Sequence, residues 1–187
     1  MTNEVVVTGI GMISPVGNNI NNSWENLVNG NSGIDYIKSF DPEGLETQIA
    51  GEVKNFDPVE IIGKKESRRM DRFSQLAMAA SYEAMESADL KIDDSNQNKI
   101  SVMITSGIGG IITLSEQMNV MNSKGPSRIS PFLVPMMLPD MASGQVSMAI
   151  GAKGPNFAVV SACASGGDSI GVASEFIKSG RADIVLA

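Results

Sequence analysis

Apolar and polar positions along this chain follow two patterns, short β-branched runs and longer stretches with helical spacing. Residues 4–8 (EVVVT) predict a first strand, followed by a loop over 9–22 and a short helix near 23–29 that Gly30 stops. Residues 31–59, carrying Gly33, Pro42, Gly44, Gly51 and Pro58, keep neither period and predict an irregular excursion. Helical spacing returns at Asp71, an N-cap residue followed by Phe73, Leu76, Ala77, Ala80, Ala84 and Ala88 on one face. This alanine-lined stripe predicts close packing against a sheet. A polar connection over 91–98 leads into a strand at 100–105, directly followed by Gly107, Gly109 and Gly110, which allow a tight backbone turn.

Thr113-Leu114-Ser115-Glu116 has the form of a capping box opening a short helix, and the prolines at 126, 131, 135 and 139 predict a stiff extended loop over 124–139. Asp140 is placed to cap a helix over 141–150 that Gly151 ends. A strand at 156–162, a helix at 164–179 ended by Gly180 and an apolar run at 183–187 complete the pattern. Strands separated by helices imply one α/β unit with a largely parallel sheet.

The junction of the 156–162 strand with the following helix holds Cys163, the single cysteine of the chain. A helix start aims free N–H groups and the positive dipole end at that position, which favours thiolate formation. Ala164, Ser165, Gly166 and Gly167 are small enough to admit a substrate carbonyl. Cys163 is therefore the candidate nucleophile. A lone cysteine in an apolar strand is also commonly a small buried hydrophobe, and a catalytic cysteine usually has a histidine partner, of which this chain has none.

Composition narrows the function classes. Hydrophobic residues at 42% and charged residues at 19% place the 187-residue chain among globular domains of ordinary size. The longest apolar candidate, 132–138, is too short for a membrane span and is broken by Pro135, and Glu4 near the start does not fit a secretory signal. A single cysteine excludes an internal disulfide and supplies no zinc set, so a reducing cytoplasm is the expected compartment. The net charge of −7 argues against nucleic-acid binding. Against that balance, Lys64, Lys65, Arg68, Arg69 and Arg72 cluster; on a helix, Lys65, Arg68, Arg69 and Arg72 would share one face, which by charge pattern alone reads first as a solvated surface paired with Glu66 and Asp71 and second as a site for a small acidic partner. Gly9-Ile10-Gly11 lacks both the third glycine and the helix of a dinucleotide fingerprint, and the 107–110 glycines lack the Lys-Ser or Lys-Thr of a phosphate loop. Met121, Met136, Met137, Met141 and Met148 fit irregular core filling, although flexible thioethers would also suit a tunnel for hydrocarbon chains.

Residues 159–187 (VVSACASGGDSIGVASEFIKSGRADIVLA) resemble the active-site segment of the β-ketoacyl-[acyl-carrier-protein] synthases, most closely the type II elongating enzyme. VVVTGIG at 5–11, SPVG at 14–17, RMDRF at 69–73, SGIGG at 106–110 and ISPF at 129–132 are similar to the family in the same order. The resemblance implies a thiolase-like fold, two α/β halves stacked as α-β-α-β-α layers, of which residues 1–187 are the N-terminal half. Family members are about twice as long and carry two catalytic histidines in the second half, so the closing run at 183–187 is expected to be a core strand at which the sequence is cut.

The implied reaction is decarboxylative condensation: Cys163 accepts an acyl group, and malonyl-carrier then attacks it. The resemblance further implies an acyl pocket bordered by Gly107 and Ile108, with Leu133 and Val134 reaching it from the other subunit of a homodimer. Lys65, Arg68, Arg69 and Arg128 are implied to receive the acyl carrier protein. No cofactor is expected on this half; the substrate rides on the phosphopantetheine of its carrier. Three other readings stand beside this one: a silent carrier-binding partner subunit, a thiolase-type coenzyme A acyltransferase, and a self-contained α/β binding domain with a buried cysteine.

Overall fold

Asn19 opens the first helix of the computed structural model, which describes residues 4–187. Its side chain accepts the Asn22 N–H at 2.8 Å, so α1 runs Ile20–Val28, starting ahead of the expected 23–29. The supposedly irregular excursion contains a hairpin, β1 (Ile34–Tyr36) antiparallel to β2 (Ile49–Gly51), with Ile34 opposite Gly51. Three residues per strand are too few to show a period in sequence. Lys54 donates to Asp35 at 2.9 Å across the hairpin and, with the Tyr36 N–H and Lys38, holds that carboxyl down at about 2.

Asp57 caps α2 (Pro58–Ile62), Gly63 at φ +87 reverses the chain, and α3 covers Lys64–Ser67. Asp71 then caps α4 (Arg72–Ser87) from an extended conformation, φ −68 and ψ 161. Helix therefore cannot run through from α3 to α4, and the expected single face of Lys65, Arg68, Arg69 and Arg72 does not form. Arg72 instead lies 4.7 Å over the Phe56 ring and donates to its carbonyl at 3.3 Å; burial lowers its pKa.

The sheet pairs β3 (Ile100–Val102) in parallel with the last strand of the chain, Ile184–Leu186, in the register Ile100–Ile184 to Val102–Leu186. Between them come α5 (Ile111–Lys124), α6 (Leu133–Met137), α7 (Met141–Ile150) and α8 (Ser165–Lys178), which makes Ile184–Leu186 β4. Met78 of α4, Ile100 and Val102 of β3 and Val146 of α7 are fully buried and form the centre of the core, joined by Met70 and Ala152. Each such side chain contributes about 1.5–3 kcal/mol by leaving water.

Several local expectations are corrected. Residues 4–8 form no strand; the N-terminal segment lies on α4, where a Cβ on Gly9 would stand 2.2 Å from the Ala84 carbonyl oxygen and one on Gly11 1.9 Å from that of Ala80. The alanine stripe thus receives a glycine backbone instead of a sheet, pinned by Glu83, which accepts the Met12 and Ile20 N–H groups at 2.8 and 2.7 Å. Residues 156–162 make only one parallel bridge, Val102 to Asn156, because the next carbonyls accept from side chains: Phe157 from Ser143 at 3.1 Å and Val159 from Thr105. Helix α5 starts at Ile111, before the supposed capping box, since Thr113 bonds to Asp71. The 124–139 loop is part helical: Pro126 and Pro135 fall in first turns, where a missing N–H costs nothing. Met121 and Met148 are exposed rather than core-filling; among the described residues, Met70, Met78 and Met103 are the buried methionines. No described helix is long and apolar enough to cross a membrane.

Candidate active site

Cys163 sits in a 3-10 turn, Ala162–Ala164, that runs straight into α8, and its side chain is exposed. The buried-hydrophobe alternative therefore does not describe this thiol. Ala162 holds a left-handed backbone, φ +53, which costs a residue with a Cβ about 1–2 kcal/mol. The buried Ser165 braces that conformation: its Oγ accepts the Ser161 N–H at 2.9 Å and donates to the Ala162 carbonyl at 2.7 Å. Ser161 Oγ in turn donates to Asp168, the acidic residue of the first α8 turn, where the helix dipole favours a carboxylate. Ser169, fully buried, ties the same helix to the Met103 carbonyl beyond β3. The sequence assigns no bracing role to any of Ser161, Ser165, Asp168 and Ser169; Ser165 stands out there only for its small size.

The glycine loop meets this turn directly. A Cβ on Gly107 would lie 3.3 Å from the Ala162 carbonyl oxygen, so only a glycine lets the two backbones approach without displacement. Ser106 Oγ accepts the Gly109 N–H at 2.9 Å, and Gly109, at φ +86, packs on the Met137 carbonyl, 2.3 Å from where its Cβ would be. Gly107 is thus brought to the Cys163 turn, and Ile108 projects from the loop, 69% exposed. Leu133 and Val134 lie on α6, whose last carbonyls support Gly109 and Gly110; Leu133 is half-buried and Val134 is 56% exposed.

A second feature lies at the start of α6. Lys64, Lys65, Arg68, Arg69 and Phe132 line an open groove of about 400 Å³. Arg69 stacks 5.0 Å over the Phe132 ring, and both Lys65 and Arg69 approach Glu66 at 4.0 Å. The predicted basic residues Lys65, Arg68 and Arg69 therefore come together despite the break between α3 and α4. Arg128 is exposed in the 126–128 turn and does not line the groove. Among the described residues no cluster of His, Cys, Asp and Glu could hold a metal ion.

The model of a family described as "Beta-ketoacyl synthase, N-terminal domain" matches residues 2–187. The chain belongs to the β-ketoacyl synthase family. A 3-oxoacyl-[acyl-carrier-protein] synthase 2 of Staphylococcus aureus is 50% identical over 183 residues, covering 98% of this chain and 44% of that protein. The enzyme of the same name from Synechocystis sp. is 43% identical over 183 residues, with the same two shares. Among solved structures, the ishigamide ketosynthase/chain length factor superposes with a TM-score of 0.90 at 28% identity, over 99% of this chain and 46% of that one. This β-ketoacyl synthase segment has the thiolase-like α/β architecture of that family and spans less than half the length of the curated relatives it matches.

Proposed function

We propose that this segment supplies the nucleophile to a 3-oxoacyl-[acyl-carrier-protein] synthase that elongates fatty acyl chains by decarboxylative condensation. The observation that supports it most is the exposed Cys163 on a braced turn at the head of α8, in a chain 50% identical to synthases of that name. The Cys163 thiolate attacks the carbonyl of an acyl group held as a thioester on the phosphopantetheine of acyl carrier protein. The tetrahedral intermediate collapses, the pantetheine thiolate leaves, and the acyl group stays on the sulfur. Malonyl-carrier then loses carbon dioxide, and the resulting enolate attacks the acyl thioester, forming the new carbon–carbon bond and releasing Cys163. The Cys163 N–H serves as one oxyanion donor.

Histidines are absent from this chain, so the imidazoles that stabilise the decarboxylation step come from the further part that the relatives possess. Gly107 and Ile108 border the acyl pocket from one subunit, and Leu133 and Val134 complete it from the second subunit of a homodimer. The exposure of Ile108 and Val134 in the single chain supports that assignment. The groove of Lys65, Arg68 and Arg69, with Arg128 in the turn that precedes Phe132, receives the acidic carrier; the compartment is the cytoplasm, consistent with an unpaired thiol. A silent chain-length partner would have no need of Cys163, and the 50% identity to carrier-protein synthases, rather than the groove, whose cations would suit coenzyme A phosphates as well, disfavours a coenzyme A enzyme.

The test is the full-length protein with acyl-carrier and malonyl-carrier substrates, followed by mass spectrometry of the intact enzyme. Cys163→Ala is expected to abolish both the acyl adduct and the ketoacyl product, with folding retained. An adduct or product that persists in Cys163→Ala would remove this reading.

A further inference from the structure

Asp71 is 4% exposed, and its two carboxyl oxygens serve different elements. Oδ1 accepts the Phe73 N–H at 3.3 Å, which is the N-cap bond of α4. Oδ2 leaves that helix. It accepts the Thr113 N–H at 3.0 Å and the Thr113 hydroxyl at 2.6 Å, both in the first turn of α5. Capping α4 needs one oxygen; the second meets a free first-turn N–H of α5, which has no side-chain cap of its own, and so ties the two helix starts together. A buried carboxyl leaving those donors unmatched would be costly, which makes the link a stiff one.

Two surfaces of the molecule converge on this link. On one side, Arg68 and Arg69 of the basic groove directly precede Met70 and Asp71 in the chain. The Arg69 side chain stacks on Phe132, and its carbonyl accepts from Gln145 Nε2 at 3.4 Å; the same nitrogen reaches the Pro135 carbonyl of α6 at 3.4 Å. On the other side, a Cβ on Gly110 would stand 2.9 Å from Asp71 Oδ2 and 2.2 Å from the Met136 carbonyl, and the Gly110 N–H donates to Met137 at 2.9 Å. The opposite end of that glycine loop, Gly107, abuts Ala162 beside Cys163. Helix α6 closes the frame, with Phe132 of the groove at its start and the glycine loop on its last carbonyls.

We infer that Asp71, through Thr113, is a positioning residue that holds the basic groove and the Cys163 turn in one register, so that a carrier docked in the groove presents its thioester at the sulfur. This inference rests on the carrier-dependent function proposed above. Flexible glycines at 107, 109 and 110 would otherwise let the loop sample many conformations, and register between two separate surfaces is lost first in such a segment.

The experiment uses the full-length protein and the variants Asp71→Asn, Thr113→Val and Thr113→Ser. Single-turnover acylation of Cys163 is measured with acyl-carrier protein and with free acyl-pantetheine, which bypasses the groove; carrier affinity and amide hydrogen exchange are measured alongside. Asp71→Asn and Thr113→Val are expected to slow acylation from saturating carrier about tenfold, the scale of one lost buried hydrogen bond. Carrier affinity stays within about twofold, since the groove residues are unaltered, and the acyl-pantetheine rate falls clearly less than the carrier-dependent one, since the loosened loop borders the acyl pocket for both substrates but register with the groove matters only to the carrier. Exchange quickens at amides 106–113 and not within α8, and Thr113→Ser, which keeps the hydroxyl, restores both readouts. Equal slowing of both substrates, or unchanged exchange at 106–113, overturns the inference while leaving the proposed function standing. Failure of the unsubstituted protein to acylate Cys163 removes the proposed function, and the delivery role with it.

Discussion

Ser165 carries more of the candidate site than its type suggests. One hydroxyl satisfies the Ser161 N–H and the Ala162 carbonyl, the two backbone groups on either side of the left-handed Ala162. Without it, the Ser161 N–H loses its partner and the Ala162 carbonyl keeps only the Ser165 N–H, beside an already strained residue, at a cost of about 1–3 kcal/mol for an unmatched group of this kind. Ser165→Ala is therefore expected to lower the melting temperature of the full-length protein by several degrees and to slow Cys163 acylation about tenfold, because the turn relaxes away from the geometry that exposes the sulfur. Calorimetry and single-turnover mass spectrometry read the two effects. A variant as stable and as fast as the parent would show that the α8 backbone alone maintains the turn. The placement of Cys163 at the head of a helix with small neighbours was legible in the sequence, since that is a local pattern. The brace was not, because Ser165 acts through a φ angle that no spacing rule reports.

At the scale of elements, the basic groove is assembled from pieces. Lys64 and Lys65 come from α3, Arg68 and Arg69 from the connection before Asp71, and Phe132 from the start of α6. Charges on an open surface mainly accelerate encounter with an oppositely charged partner, and salt screens them over about 10 Å at 0.1 M. Changing Lys65, Arg68 and Arg69 together to glutamate is expected to reduce the association rate of acyl carrier protein by about tenfold or more at low salt. The difference should shrink at high salt. Arg128→Glu, outside the groove lining, should cost less than any one of the three. Stopped-flow association against ionic strength makes the comparison; equal rates for the triple variant and the parent at low salt would dismiss the groove as the landing site.

The clustering of these cations was visible in sequence, whereas their common helical face was an error of continuity. Asp71 looked like a cap, and the extended backbone a cap requires is what interrupts the helix at Arg68–Met70. Helices α4, α7 and α8 fell close to expectation because caps and periodicity fix a helix locally. Strands 4–8 and 156–162 did not, since a strand exists only where a neighbour takes its ladder; along 156–162 the Phe157 and Val159 carbonyls are met by the Ser143 and Thr105 hydroxyls instead.

At the scale of the whole molecule, the apolar surface and the missing chemistry point the same way. Val7 is 78% exposed and Met148 72%, and along α8 an added Cβ on Gly166, Gly167 or Gly171 would meet no atom within 4 Å. Beside that helix, Val159, Val172 and Phe176 line an open groove of about 570 Å³ together with Asp168, Glu175 and Arg181. Exposed apolar area of this extent marks surfaces that other protein normally covers. Residues 1–187 by themselves are accordingly expected to self-associate, visible as mass above the monomer by light scattering. Their chemistry should stop halfway. The braced turn needs no histidine to expose Cys163, so slow acylation from acyl-carrier protein is expected. Decarboxylation of malonyl-carrier develops negative charge on a thioester oxygen, and preorganised donors at such a position commonly contribute several kcal/mol. With no histidine in the chain, that contribution is gone, and each ~1.4 kcal/mol lost is a factor of ten in rate. Incubating the purified segment with both carriers and following Cys163 acylation and ketoacyl product by mass spectrometry should give adduct without product. Product formed at a rate near that of the full-length protein would mean that condensation is carried entirely by residues already present in this segment.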